Sequence, residues 1–169
     1  MAIVFLQPQA HQVLPEYHVG TASQSCTSPG IAQCFAIAGW TQAGMLCTHV
    51  SPGATKADIE ATFDYLLQEG GANVQRWYVV GPFTDHFAVA KARWRSVEDI
   101  KKTFKKAFGN KNAEHWILDV TTERNQFSWG IDIQAEHEGA MPAAWFSYRQ
   151  AGKLTVAWTE LKLHRFVRF

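Results

Sequence analysis

Cys34 and His49 are the residues of this sequence whose types and spacing best suit nucleophilic chemistry. A cysteine becomes a useful nucleophile when a neighbouring imidazole takes the thiol proton and stays close to the sulfur. Cys34 lies near the start of one strand-like run, and His49 lies near the end of the next. In an antiparallel hairpin the two residues become cross-strand neighbours, with Cβ atoms about 5 Å apart. The pattern predicts a Cys–His pair, and a buried cysteine beside a structural histidine is the simpler alternative.

Two other pairs of residues suit different chemistry. Cys47 and His49 are two positions apart and would share one face of a strand, as metal ligands often do, but no further Cys-x-His or Cys-x-x-Cys spacing accompanies them. Asp85 precedes His86 in a segment rich in turn-forming residues. We therefore predict no metal site, interpret Cys47 as a packing residue, and place His86 in a surface loop.

Two segments have the start signals and apolar stripes of amphipathic helices. Thr55 and Asp58 form a variant of the capping box at the start of the first, which ends at the glycines 70–71. Its apolar stripe consists of Ile59, Phe63, Leu66 and Leu67. Ser96, with Asp99 three residues later, starts the second. Its stripe consists of Ile100, Phe104, Ala107 and Phe108.

Runs of β-branched and aromatic residues around these helices predict strands. The predicted strands cover residues 31–40, 43–50, 74–80, 115–121, 127–134, 143–149, 153–159 and 163–169, and the last three suggest an antiparallel meander. The segment 20–30 is the longest loop-like stretch. This order predicts one domain over residues 1–169 with an α+β fold, in which two main helices cover one side of a layered, mixed but mostly antiparallel sheet or sandwich.

The composition excludes several classes of partner. Sixteen Lys and Arg against fifteen Asp and Glu give a net charge of +1, which does not suit binding to a nucleic-acid backbone. The sequence has no apolar run of about 18 residues, so we expect no membrane association. Motifs of nucleotide-binding loops, zinc peptidases and serine hydrolases are also missing from the sequence.

The three cysteines are an odd number in a chain long enough to fold without disulfides, so at least one thiol is expected to be free. The N-terminal segment is too short and uncharged for a signal peptide. We therefore expect a cytoplasmic protein, or one secreted into a target cell by a route that leaves no visible signal peptide.

The segments 28–38 and 43–50 resemble the active-site hairpin of the CheD chemoreceptor glutamine deamidases. In that family a Cys opens one strand, a His closes the next, and a hydroxyl residue stands six positions before the Cys. Cys34, His49 and Ser28 occupy these places. A similar Cys and His arrangement serves the cytotoxic necrotizing factor toxins, which share the catalytic fold.

The resemblance implies a protein-glutamine deamidase that needs no metal or organic cofactor. His49 would take the proton of Cys34, and the thiolate would attack the carboxamide of a glutamine on a protein substrate. Ser28, Thr27 or a backbone carbonyl would orient the imidazole, and backbone N–H groups near Cys34 would stabilise the oxyanion. Such an enzyme could act as a bacterial effector or toxin.

A non-catalytic protein-binding or immunity-type domain is the alternative. In that class all three cysteines would be buried and inert, and exposed tryptophans would anchor a partner. The candidate anchors are Trp94, Trp129 and Trp145. A catalytic Cys34 is instead expected to have a low thiol pKa.

Overall fold

The structure is a computed structural model, and it describes residues 2–108, 113–139 and 144–168. Four α-helices lie in these ranges: α1 Lys56–Gln68, α2 Phe83–Ala88, α3 Val97–Phe108 and α4 Thr121–Arg124. Eleven strands lie in the same ranges: β1 Val4–Phe5, β2 Gln9–Val13, β3 His18–Ile31, β4 Phe35–Thr41, β5 Gly44–Val50, β6 Arg76–Gly81, β7 Glu114–Asp119, β8 Ile131–His137, β9 Ala144–Gln150, β10 Thr159–Leu161 and β11 Val167–Arg168. The predicted mixed α+β fold is confirmed.

All eleven strands belong to one curled, mostly antiparallel sheet in the order β10-β9-β8-β3-β5-β4-β6-β7-β11, with β1 and β2 paired parallel to β3. The 14-residue strand β3 bridges two layers. Its first half pairs with β5, and its second half pairs with β8. The β8–β9 layer folds over the β4–β5–β6 layer, where the rings of Tyr78 and Phe146 are 5.1 Å apart. The result is a sandwich with an apolar interior.

Strand alternation decides which residues of β4 and β5 enter that interior. Ala36, Ala38 and Trp40 on β4 face it together with Met45 and Cys47 on β5. Cys34 belongs to the same cluster. Intervening apolar residues point to the other face of the sheet, as the period of two requires. These residues are Phe35, Ile37, Leu46 and Val50.

The two main helices cover that other face, as predicted. Thr55 and Asp58 form a reciprocal capping box at the start of α1, and the Ser96 hydroxyl accepts a hydrogen bond from the Asp99 amide at the start of α3. A second apolar cluster joins both helices to the sheet. Leu67 departs from the predicted stripe, because its side chain is 41% exposed.

Three predictions of local structure are wrong. The loop-like segment 20–30 lies within β3, because its polar backbone groups pair with β2, β5 and β8. The predicted strand 153–159 is mainly a loop, and only its last residue belongs to β10. The meander therefore ends with β10, while β11 pairs with β7 at the opposite edge of the sheet.

None of the helices in the described ranges is both long and apolar enough to cross a membrane.

Candidate active site

The hairpin of β4 and β5 brings Cys34 and His49 to the same face of the sheet. In its register Ala36 stands directly opposite His49, and Cys34 lies two residues before Ala36. Cys34 and His49 are therefore diagonal neighbours rather than the directly opposed pair that the sequence predicted. Diagonal positions remain within reach of long and aromatic side chains. The imidazole lies on the same side of the sheet as the thiol, at the end of the sandwich where β4 begins.

A backbone carbonyl orients the His49 ring. Nδ1 of His49 lies 2.9 Å from the carbonyl oxygen of Leu14. A carbonyl oxygen only accepts hydrogen bonds, so Nδ1 carries the proton and donates it. The neutral ring then has its lone pair on Nε2, which is buried and has no hydrogen-bond partner in the described ranges. This tautomer leaves a free basic nitrogen inside the sandwich.

The carbonyl of Leu14 takes the orienting role for which the sequence left three candidates open. Ser28 is buried in β3 opposite Ile133. Thr27 contacts Leu14 and not His49: its carbonyl oxygen accepts a 2.8 Å hydrogen bond from the Leu14 amide. The structure therefore places a backbone carbonyl, and not the Ser28 hydroxyl, against the His49 ring.

Burial sets the protonation states of the pair. Burial raises the pKa of the Cys34 thiol to about 12, and the negative charge of Glu16 adds to this effect. Burial also lowers the pKa of His49, and it outweighs the opposing effects of the Leu14 carbonyl and of Glu16. Both shifts favour the uncharged forms, because a low-dielectric interior disfavours ions. Near neutral pH the pair consists of a thiol and a neutral imidazole, so the low thiol pKa expected from the sequence is wrong for this state.

Glu16 is a site residue that the sequence did not reveal. The negative charge of its carboxylate raises the pKa of the Cys34 thiol further, after burial. The side chain belongs to a turn between β2 and β3, in which the His18 amide donates to the Pro15 carbonyl at 3.0 Å. Glu16 itself is exposed. The charge of a solvent-facing carboxylate thus acts on a buried thiol.

The loop just before Cys34 is held from two sides. Arg124 of α4 donates from Nε to the Ala32 carbonyl at 3.1 Å. His86 of α2 donates from Nδ1 to the Gln33 carbonyl at 2.6 Å. The Gln33 backbone lowers the pKa of the Cys34 thiol, in opposition to burial. The backbone just before the thiol is therefore fixed by Arg124 and His86.

His86 is not the surface-loop residue that the sequence suggested. It lies in α2 with 1% of its surface exposed, and its ring stacks on Phe35 with centroids 3.8 Å apart. Burial lowers the pKa of His86 to about 4. The sequence singled out Asp85 and His86 as a pair, but His86 is buried by stacking on Phe35, which is distant along the chain. His86 is a positioning residue of the loop that carries Cys34.

The other two cysteines lie deeper in the sandwich. Cys47 is fully buried on β5 in the same apolar cluster as Cys26, and burial raises the pKa of Cys47 well above its usual value. All three cysteines are free and buried. Within the described ranges, no group of three or more His, Cys, Asp or Glu side chains could hold a metal ion. The sequence matches no protein-family model and no curated protein.

Proposed function

We propose that this protein is a cysteine-dependent protein-glutamine deamidase. One observation carries the proposal: the Leu14 carbonyl holds His49 with its basic Nε2 on the sheet face that also bears Cys34. A neutral imidazole beside a neutral thiol is the starting state of a nucleophile that is deprotonated as it attacks. A lowered His49 pKa supports this role, because the ring stays unprotonated and able to accept a proton at neutral pH.

In the proposed reaction Nε2 of His49 takes the Cys34 proton while the sulfur attacks the carboxamide carbon of a glutamine. The C=O electron pair moves onto oxygen, and the backbone amides of Gln33 and Cys34 stabilise that oxyanion. The C–N bond then breaks, and ammonia leaves with the proton that His49 returns. Water, deprotonated by His49, hydrolyses the thioester, which releases glutamate and restores the thiol.

The clamped loop supports this mechanism. Donors that stabilise an oxyanion are effective only when they are fixed before the charge develops. Arg124 and His86 fix the two carbonyl groups of the loop that precedes Cys34. This arrangement leaves the loop little freedom to rotate its peptide groups.

The test uses a pool of synthetic peptides, each with one glutamine, incubated with the wild-type protein. We expect ammonia release and conversion of glutamine to glutamate, read by mass spectrometry. Cys34→Ala and His49→Ala should each abolish the reaction. Cys47→Ala is the matched control, because it removes a buried thiol from the next strand and should leave the activity in place if the variant stays folded. An added primary amine separates a transglutaminase, which would attach the amine instead of releasing glutamate.

Release of ammonia by Cys34→Ala at the wild-type rate would contradict the proposal. Unfolding curves of every variant separate loss of chemistry from loss of fold.

A protein-binding domain is the second candidate, because all three cysteines are buried. Trp129 is 81% exposed and Leu154 is 78% exposed. Of the other tryptophans named as anchors, Trp94 is buried and Trp145 is half-buried. This candidate predicts that Cys34→Ala has no functional effect, whereas Trp129→Ala weakens binding of a partner.

A further inference from the structure

The loop that carries Trp129 contacts the backbone just before Cys34. A Cβ added to Gly130 would lie 2.5 Å from the Ile31 carbonyl oxygen and 3.2 Å from the Ala32 amide nitrogen. The two backbones are therefore in direct contact at Gly130, whose φ of 87° also favours glycine. Trp129 thus stands one residue before a close contact with the segment that leads into Cys34.

These contacts set an upper limit on the distance between Trp129 and Cys34. Adjacent Cα atoms are about 3.8 Å apart, and the close contact allows about 6 Å at most between the Cα atoms of Gly130 and Ala32. Two further peptide units lead from Ala32 to Cys34, so the Cα atoms of Trp129 and Cys34 are at most about 17 Å apart. An extended peptide covers that distance with about five residues.

A second exposed apolar side chain lies in the adjoining loop, which follows β9. The Ala151 amide donates a 3.2 Å hydrogen bond to the Gly130 carbonyl, and this bond joins the bases of the two loops. The Arg149 guanidinium donates to the Leu154 carbonyl at 3.3 Å and pairs with the buried Asp132 carboxylate. The backbone of Leu154 is therefore held in place, while its side chain is 78% exposed.

Trp129, Leu154 and Val156 form an apolar rim at the end of the sandwich where β4 begins. Trp129 is 81% exposed and Val156 is 44% exposed. Large apolar side chains that stay in water are typical of binding surfaces, and tryptophan is the most frequent anchor. The exposed surface of the three side chains is on the order of 400 Å², about half of what each partner of a stable dimer buries. A short peptide segment suits this area better than a second copy of the chain.

We infer that the apolar rim recognises the protein substrate through an apolar side chain within about five residues of the target glutamine. This inference rests on the proposed deamidase function and names the class of its substrate. The apolar side chain of the substrate packs against the Trp129 indole, while the carboxamide reaches Cys34. The rim holds the segment in place, and the chemistry stays with Cys34 and His49.

The experiment measures kcat/KM for ammonia release from polar peptides that each contain one glutamine. One leucine is placed two, four or ten residues from the glutamine, on either side, and a peptide without leucine is the reference. The wild type should prefer leucine at the two shorter spacings by about tenfold over the reference. Leucine ten residues away should give no preference, because the distance from Cys34 to Trp129 corresponds to about five residues.

Three variants locate the preference on the protein. Trp129→Ala should reduce it to about twofold or less, and Leu154→Ala should lower it as well, because each removes an exposed side chain of the rim. Leu67→Ala is the matched control and should keep the wild-type preference. Leu67 is also an exposed apolar residue, but it lies on α1, at the other face of the sheet.

No preference at either short spacing, or a preference that Trp129→Ala leaves unchanged, would overturn the inference and leave the deamidase proposal standing. Sedimentation tests the other occupant: a wild-type dimer that Trp129→Ala converts to a monomer would assign the rim to a second copy and overturn the inference. A wild type that releases no ammonia, or release that survives Cys34→Ala, would overturn the deamidase proposal and this inference with it.

Discussion

His86 should make the stability of this protein sensitive to mild acid. Its Nδ1 donates to the Gln33 carbonyl, and its Nε2 is buried with no hydrogen-bond partner in the described part of the chain. Protonation would place a charged, unsatisfied N–H in the interior, which explains why the pKa falls from 6.5 to about 4. Between these two values the unfolded chain binds the proton and the folded chain does not. The contribution of His86 to stability is therefore fully present above about pH 6.5 and is lost as the pH falls towards 4.

The magnitude follows from the two pKa values. One pKa unit corresponds to about 1.4 kcal/mol, so the complete effect is about 3.4 kcal/mol. Between about pH 7.5 and about pH 4.5 most of it is lost, which amounts to about 2.5 kcal/mol. Other titrating groups act over the same range, so a variant is needed to isolate this one. His86→Asn can retain a donor for the Gln33 carbonyl and cannot take up the proton.

Urea unfolding of both proteins at the two pH values measures the effect. We expect the wild type to lose about 2.5 kcal/mol more than His86→Asn on acidification, even if the variant is less stable at pH 7.5. Equal losses in the two proteins would refute the reasoning, because they would mean that His86 takes up its proton in the folded state as readily as in the unfolded state.

Two substitutions test the packing that positions the site. Gly81→Ala would place a Cβ 2.7 Å from the Cys34 carbonyl oxygen and against the Phe35 ring. It should lower the free energy of unfolding by about 1–3 kcal/mol in urea and reduce ammonia release. Gly139→Ala, with open space around the added Cβ, should change neither. Phe104→Ala removes a fully buried ring from α3 and should cost about 3–5 kcal/mol in the same unfolding assay; a cost below about 1 kcal/mol would contradict this account of the helix-side core.

The local elements were the most predictable part of the fold. The capping box of α1 depends on Thr55 and Asp58, three residues apart, so its signal is complete within one helical turn. The hairpin of β4 and β5 is similarly local, because its strands are joined by the two turn residues 42–43. The sequence therefore predicted correctly that Cys34 and His49 lie on the same face of the sheet. The observed register makes the two residues diagonal neighbours and not the directly opposed pair that was predicted.

The strand β3 was not predictable, because its stability comes from distant partners. The segment 20–30 contains Ser, Thr, Gly and Pro, which locally favour turns. In the fold its backbone groups pair with β5 and β8, and β8 lies about a hundred residues further along the chain. Long-range pairing of this kind overrides local propensity.

The surroundings of the Cys–His pair were hidden for the same reason. The Leu14 carbonyl orients His49 from a segment 35 residues away, and a backbone atom leaves no signal in residue types. Glu16 is an ordinary exposed glutamate in the sequence, and only the fold lets its charge raise the pKa of the Cys34 thiol. Arg124 reaches the loop before Cys34 across 92 residues. The sequence thus indicated the two reacting groups of the proposal. Only the fold identified the carbonyl that orients His49, the carboxylate that raises the pKa of Cys34, and the side chains that fix the loop before Cys34.

The central claim is that His49 acts as the base for Cys34, and alkylation by iodoacetamide as a function of pH tests it most directly. The alkylation rate at Cys34, resolved by mass spectrometry, should level off near neutral pH. It should fall at lower pH as His49 takes up a proton, at a pKa below the usual 6.5 of histidine. His49→Ala should slow Cys34 by at least about 100-fold at pH 7, while His18→Ala, which removes another histidine near the site, should retain most of the rate. A Cys34 rate that is unchanged by His49→Ala, or that rises with pH in the same way as the rate at Cys47, would contradict the account.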